Sequence, residues 1–171
     1  MATAAHKWLT FFLLAATLPV CAQWPCDALQ ALRAGFMDHS TFQQAEDTEK
    51  LAIELASSAS GDCKTLIDAH RWVSLARSAD FGFNPATKLQ RLNAGLKGLD
   101  QLIVERPDLH EIQALRLSIT GTAPRFLGVD DDWETDLAAL QRLLANAHWK
   151  NAPLYSEWMR DLAKQIQQER T

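Results

Sequence analysis

Residues 84–120, NPATKLQRLNAGLKGLDQLIVERPDLHEIQALRLSIT, contain two consecutive amphipathic segments that decide the fold class. Asn84 is a favoured N-cap residue, and Pro85 suits the first position of a helix. Apolar side chains then recur at spacings of three and four, which places them on one face of a helix of about four turns. These positions are Leu89, Leu92, Leu96, Leu99 and Ile103.

Gly95 and Gly98 lie inside this predicted helix. Each costs up to about 1 kcal/mol relative to alanine in a helix interior. Close approach of a neighbouring helix would offset that cost. An alternative is that the two glycines open space between helices for an apolar ligand.

The second segment begins after Pro107, which ends the first helix. Asp108 and Glu111 have the spacing of a capping box, with Asp in place of the usual Ser or Thr. The sequence from His110 to Ala114 lacks the second histidine of a zinc-binding H-E-x-x-H motif, so we interpret it as a solvated first turn. The apolar stripe of this helix is Ile112, Leu115 and Ile119.

The same helical periodicity extends over the rest of the chain, and no run of alternating β-branched residues indicates a strand. Further helices are predicted over residues 26–36, 41–57 and 62–79, from about Asp130, and from about Pro153. We therefore predict an all-α single domain of about seven helices, stacked as antiparallel hairpins.

The N-terminus has the pattern of a secretory signal peptide. Lys7 precedes an apolar run, Trp8–Val20, that is shorter than a membrane-spanning helix. Small residues before Gln23 predict cleavage after Ala22, so residues 1–22 form the signal and 23–171 the helical domain. A retained anchor and lipidation at Cys21 are the alternatives. The predicted location is periplasmic or secreted.

Two cysteines, Cys26 and Cys63, remain after this cleavage. An even number of cysteines in an oxidising compartment predicts a disulfide, worth about 3–4 kcal/mol for a loop of this size. The alternative is a pair of free buried thiols. A metal site is disfavoured because no further ligands stand at zinc spacing.

The chain has 171 residues and a formal net charge of −4, which disfavours nucleic acid and anionic lipid as main partners. No nucleophile elbow is present, and the acids from Asp130 to Asp136 lack the glycine and glutamate of a calcium loop. We therefore predict no catalytic residue, cofactor or metal.

Five side chains are candidates for binding. Arg116 flanks an apolar stripe, where it needs a carboxylate such as Asp136 or binds an anion. Arg125 lies in a loop, from which it can join Arg116. His70 and Arg71 lie in mid-helix, and Trp149 lies at a helix end, where a partner surface is possible.

Three groups of residues resemble a family of uncharacterised small exported bacterial proteins. They are Ala69–Ser78 with Lys88–Leu99, Glu105–Ile112 with Leu115–Ile119, and Ala123–Gly128 with the helix after Asp130. The combined pattern LRLSI…AP-FLG lies within a family-like core of about residues 66–144. The family usually has Tyr after FLG, where this chain has Val129. The resemblance implies export and a tetratricopeptide-like helical fold, and it implies no activity.

Three functions are compatible with these patterns. A non-catalytic module that binds an exported or envelope protein or peptide is favoured, because stacked hairpins form grooves. The first alternative is an enzyme or binding protein for an anionic small molecule, using His70, Arg71, Arg116 and Arg125. The second alternative is a periplasmic carrier of apolar ligands, which requires a cavity of about 300 Å³ or more.

Overall fold

The computed structural model describes residues 26–129 and 131–170. Within these ranges the chain forms seven α-helices and no β-strand, which confirms the predicted all-α fold class. The helices are α1 (Ala28–Met37), α2 (Phe42–Ala56), α3 (Gly61–Ser78), α4 (Pro85–Glu105), α5 (His110–Thr120), α6 (Trp133–Ala145) and α7 (Pro153–Arg170). Short 3₁₀ turns at Ala79–Phe81 and Arg125–Leu127 follow α3 and α5.

A single cluster of buried apolar side chains joins all seven helices. α3 is the central helix, because it contacts α1, α2, α4 and α5. Its apolar stripe, Leu66, Ala69, Val73 and Ala76, is buried throughout. α1 also contacts α7, so the first and last described helices meet. The tetratricopeptide-like arrangement stays a prediction.

α4 begins as its sequence predicts. The side-chain oxygen of Asn84 accepts hydrogen bonds from the backbone N–H groups of Ala86 and Thr87, at 2.9 and 3.4 Å. Pro85 occupies the first helical position, where its missing N–H costs nothing. Of the predicted stripe, Leu92, Leu96 and Leu99 are buried.

The two glycines of α4 let α3 approach closely, as predicted. A Cβ atom on Gly95 would lie 2.6 Å from the backbone oxygen of Trp72, and one on Gly98 would lie 2.3 Å from the Trp72 ring. Trp72 and Ala76 therefore occupy the space that the glycines leave. The alternative that these glycines open a cavity for an apolar ligand is wrong.

The predicted capping box at the start of α5 is also wrong. The N-cap position is Leu109, which gives no side-chain bond. The Asp108 carboxylate instead accepts two hydrogen bonds from Arg106, at 3.1 and 2.9 Å. Glu111 is buried, and its carboxylate accepts hydrogen bonds from Arg33 of α1. This charge-assisted pair is stronger than a hydrogen bond from the α5 backbone.

A disulfide joins Cys26, just before α1, to Cys63 in the first turn of α3. The predicted pairing is confirmed, and the alternative of two free thiols is wrong. The predicted signal peptide, its cleavage site and Cys21 lie outside the described residues. Among the residues that are described, no helix has both the length and the hydropathy of a membrane span.

Candidate functional site

An apolar groove of about 770 Å³ lies between the α3–α4 junction and the segment that follows α5. Ala76 of α3 and Ala79 of the 3₁₀ turn after it line one part of the groove. Residues from the first two turns of α4 line another part. The other apolar lining residues are Pro85, Leu89, Leu92, Ile119, Ala123, Pro124, Phe126 and Leu127. We call this site the apolar groove.

The apolar face of α4 continues past the helices that pack against it. The uncovered part of this face forms one wall of the apolar groove. Leu89 continues the stripe of buried leucines, yet it is 48% exposed. Phe126, in the 3₁₀ turn after α5, is 85% exposed. Both side chains leave apolar surface in water beside a concave site, which is typical of a binding surface.

The charged side chains of the apolar groove are Arg77, Asp80 and Lys88, and Thr122 adds a hydroxyl. Arg77 lies in the last turn of α3, and its Nε is 3.8 Å from the Asp80 carboxylate. Lys88 Nζ donates to the backbone oxygen of Asp80 at 3.3 Å. Two cations and one carboxylate give the groove a positive formal charge, whereas the whole chain carries −4.

Arg116, a predicted binding residue, lines a second and smaller cavity of about 230 Å³. Its Nε and NH2 donate to the two carboxylate oxygens of Asp136, at 2.8 and 2.9 Å. NH1 contacts Asp100 at 2.7 Å and Asp132 at 3.2 Å. Burial alone would lower the pKa of Arg116, but these carboxylates raise it above its usual range. The guanidinium therefore has three internal partners and little capacity for an anion.

His70, another predicted binding residue, is completely buried next to Glu111. The Nε2 of His70 lies 4.0 Å from Glu111 Oε1, too far for a hydrogen bond. Burial is the main reason that the pKa of His70 falls to about 4. Burial raises the pKa of Glu111, but the His148 hydrogen bond and Arg33 outweigh it and bring that pKa to about 2. The cluster is a neutral histidine beside an ionised, paired carboxylate.

The other three predicted residues do not line the apolar groove, although Arg125 is adjacent to its lining residues Pro124 and Phe126. Arg71 stacks over the Trp72 ring, with its guanidinium carbon 4.4 Å from the ring centroid. Arg125 is exposed in its 3₁₀ turn. Trp149 is 2% exposed and packs edge-on against Tyr155, so its ring belongs to the core and does not face a partner. Neither described cavity brings together His70, Arg71, Arg116 and Arg125.

Sequence analysis missed Arg77 and Lys88 as site residues. Phe126 and Leu89 appeared only as members of a motif and of a helical stripe. One signal was present, because a phenylalanine between Arg125 and Leu127 in a proline- and glycine-bounded loop has no helical face to bury it. Tertiary packing determines which helix ends this loop approaches. Local sequence patterns do not indicate that packing.

The described residues contain no cluster of three or more histidine, cysteine, aspartate or glutamate side chains arranged to hold a metal ion. The chain matches no protein-family model, no curated protein and no solved structure. The candidate function therefore depends on the geometry of the apolar groove.

Proposed function

We propose that this chain is an exported, non-catalytic module that binds an apolar segment of another exported or envelope protein in the apolar groove. The observation that carries the proposal is the exposure of Phe126 and Leu89 at a groove of about 770 Å³. Burial of such side chains by a partner removes apolar surface from water, which is the main favourable term in association.

The shape of the apolar groove favours a protein segment over a small ligand. Small-molecule sites usually enclose most of the ligand surface. Here Phe126 is 85% exposed and Leu89 about half exposed, so the lining remains open to solvent. A segment that enters and leaves the groove can cover both side chains, and aromatic residues often dominate the energy of such interfaces.

Three features support export. The Cys26–Cys63 disulfide suits an oxidising compartment. The apolar run Trp8–Val20 after Lys7 has signal-peptide character, and the chain resembles small exported helical proteins. Mass spectrometry of the protein from the exported fraction should show Gln23 as its first residue. An intact precursor in the cytosol with both thiols reduced would contradict export.

Peptide selection tests the binding function. The disulfide-bonded protein is used to select from a library of random dodecapeptides, and the affinity of an enriched peptide is measured by fluorescence anisotropy. Phe126→Ala and Leu89→Ala should each weaken binding tenfold or more. Leu154→Ala removes a leucine from α7 that is more exposed than Leu89 and lies outside the groove, and it should change affinity less than twofold. A library without enriched peptides, or equal affinity in all variants, would refute the proposal.

Transport of an apolar ligand is a second candidate, because the groove volume exceeds the 300 Å³ that a typical ligand pocket needs. A fluorescent fatty acid distinguishes the two functions. A carrier should bind this probe with micromolar or better affinity and lose it on Phe126→Ala. A peptide-binding module should bind its selected peptide at least a hundredfold more tightly than the fatty acid.

A further inference from the structure

We propose that the segment bound in the apolar groove carries an acidic side chain that pairs with Arg77. This inference rests on the proposed function, and it names the chemistry of the partner. It would make the site a selective receptor for an apolar sequence with a glutamate or aspartate at a fixed distance from its apolar residues.

Arg77 combines burial with a lack of hydrogen-bond partners. Its side chain is 20% exposed, and its Nε is buried without a hydrogen-bond partner among the described residues. The nearest carboxylate, Asp80, is 3.8 Å away, beyond hydrogen-bond distance, and is itself 67% exposed. Burial lowers the pKa of Arg77, against the opposing effect of Asp80, and the guanidinium carbon lies 5.7 Å from the centroid of the buried Phe36 ring.

Four other arginines have the hydrogen bond to a carboxylate that Arg77 lacks. Arg33, Arg91, Arg106 and Arg116 each donate at least one hydrogen bond to a carboxylate, at 2.6 to 3.3 Å. Arg71 also lacks such a bond, and its guanidinium stacks on the Trp72 ring, but Arg71 does not line the apolar groove. The absence of this bond at Arg77 coincides with a groove that is open to a partner.

A carboxylate from a partner meets the requirements of this position. The guanidinium offers its N–H groups in a planar fork that matches the two oxygens of a carboxylate. In a site closed by apolar side chains, leaving such a charged group without a partner is costly. An acidic side chain on Arg77 thus adds selectivity to the apolar contacts of Leu89 and Phe126.

The net charge of the side chains that line the apolar groove also favours an acidic partner. Lys88 contributes a second cation beside Asp80. With Arg77, the two cations outnumber the single carboxylate in a chain whose net charge is negative. This local reversal of sign favours an acidic segment and disfavours a basic one.

A double-mutant cycle tests the pair. In the highest-affinity selected peptide, each acidic residue is changed to its amide, and each peptide is measured against wild type and Arg77→Gln. One such change should weaken binding to wild type tenfold or more and leave binding to Arg77→Gln within twofold. Arg142→Gln, which removes an exposed arginine from the last turn of α6, is the matched control and should behave as wild type.

The outcomes separate this inference from the proposed function. Binding that depends on Phe126 but ignores both the peptide acid and Arg77→Gln overturns the inference alone. A peptide that binds only through its terminal carboxylate does the same. Absence of any groove-dependent binding overturns both. If Arg77→Gln fails to fold, Arg77→Lys and the amide peptides against wild type decide the result, because neither requires loss of the charge.

Discussion

Arg77 and Arg116 each line a cavity, but the protein treats the two guanidinium groups differently. Arg116 is held by Asp100, Asp132 and Asp136, so its cavity contains an internally neutralised cation. Arg77 has one exposed carboxylate at 3.8 Å and no hydrogen bond within the described part of the chain. The first guanidinium has its partners within the fold, whereas the second has a buried Nε without a hydrogen-bond partner.

This difference shows that the position of an arginine on a helix does not determine its role. The position of Arg116 beside an apolar stripe predicted either a carboxylate partner such as Asp136 or an anion site, and the structure shows the Asp136 pair. Arg77, in the last turn of α3, was not predicted to have a role. The two arginines differ in the number of carboxylates that the fold brings close to each guanidinium. Four predictions follow the comparison from stability to affinity.

The largest effect is expected from breaking the Arg116 cluster. Arg116→Gln leaves the Asp136 carboxylate, which is 0% exposed, without its bidentate partner. Removal of one partner from a buried ion pair costs about 3–5 kcal/mol. Urea unfolding should show this loss, and Arg106→Gln, in a more exposed pair, should lose much less stability. Similar losses in both variants would make Arg116 no more structural than Arg106.

Acid should destabilise the protein through the buried histidines, one of which faces Arg77. Burial first, and Arg77 second, lower the pKa of His39 to about 4, and burial lowers that of His70 to about 4. The unfolded chain takes up protons near pH 6.5, but the folded chain does so only near pH 4. Stability should therefore fall as the pH drops through this window, by up to about 3 kcal/mol for His70.

Chemical unfolding at several pH values measures this slope. His70→Gln should reduce the loss between pH 6.5 and 4. His110→Gln, which changes a less buried histidine at the start of α5, is the control and should leave the slope unchanged. A stability that is constant over this range would contradict the interpretation of both buried histidines as neutral.

Arg77 should contribute little to stability, in contrast with Arg116. Arg77→Met replaces an incompletely compensated cation with an apolar side chain of similar length. Such replacements are neutral or stabilising in many proteins, so the unfolding midpoint should shift by less than about 1 kcal/mol in either direction. A loss as large as that of Arg116→Gln would show that Arg77 has a structural role and would weaken its assignment to binding.

The smallest expected effect comes from Asp80. Asp80→Asn removes the carboxylate closest to Arg77 and leaves both cations of the apolar groove in place. An acidic peptide should then bind about threefold more tightly at low salt, and the gain should shrink in 1 M salt because exposed charges are screened. A weaker affinity would mean that Asp80 orients Arg77 for its ligand.

Local sequence patterns predicted the helices well, because caps and apolar spacing act over a few residues. Asn84 caps α4, and Thr41 caps α2 by accepting from the backbone N–H of Gln44 at 3.2 Å. The close approach of a neighbouring helix to Gly98 was expected from the cost of glycine, and the structure identifies Trp72 as the contact. These features need no knowledge of the remainder of the fold.

The candidate site was predicted less well, because its parts are distant in sequence. Glu111 was interpreted as part of a capping box, yet its partner Arg33 lies 78 residues away. Phe126 meets Leu89 at one groove only because α3, α4 and α5 pack together. Nothing near either residue in the sequence indicates that both line one groove.

α3 also separates the disulfide, which stabilises the fold, from Arg77 at the apolar groove. The disulfide is in its first turn and Arg77 in its last, about 21 Å apart along the helix axis at 1.5 Å per residue. A reductant would therefore loosen the end of α3 remote from Arg77 and the apolar groove. Resistance to proteases and recognition of a partner can then respond independently to the redox state of the surroundings.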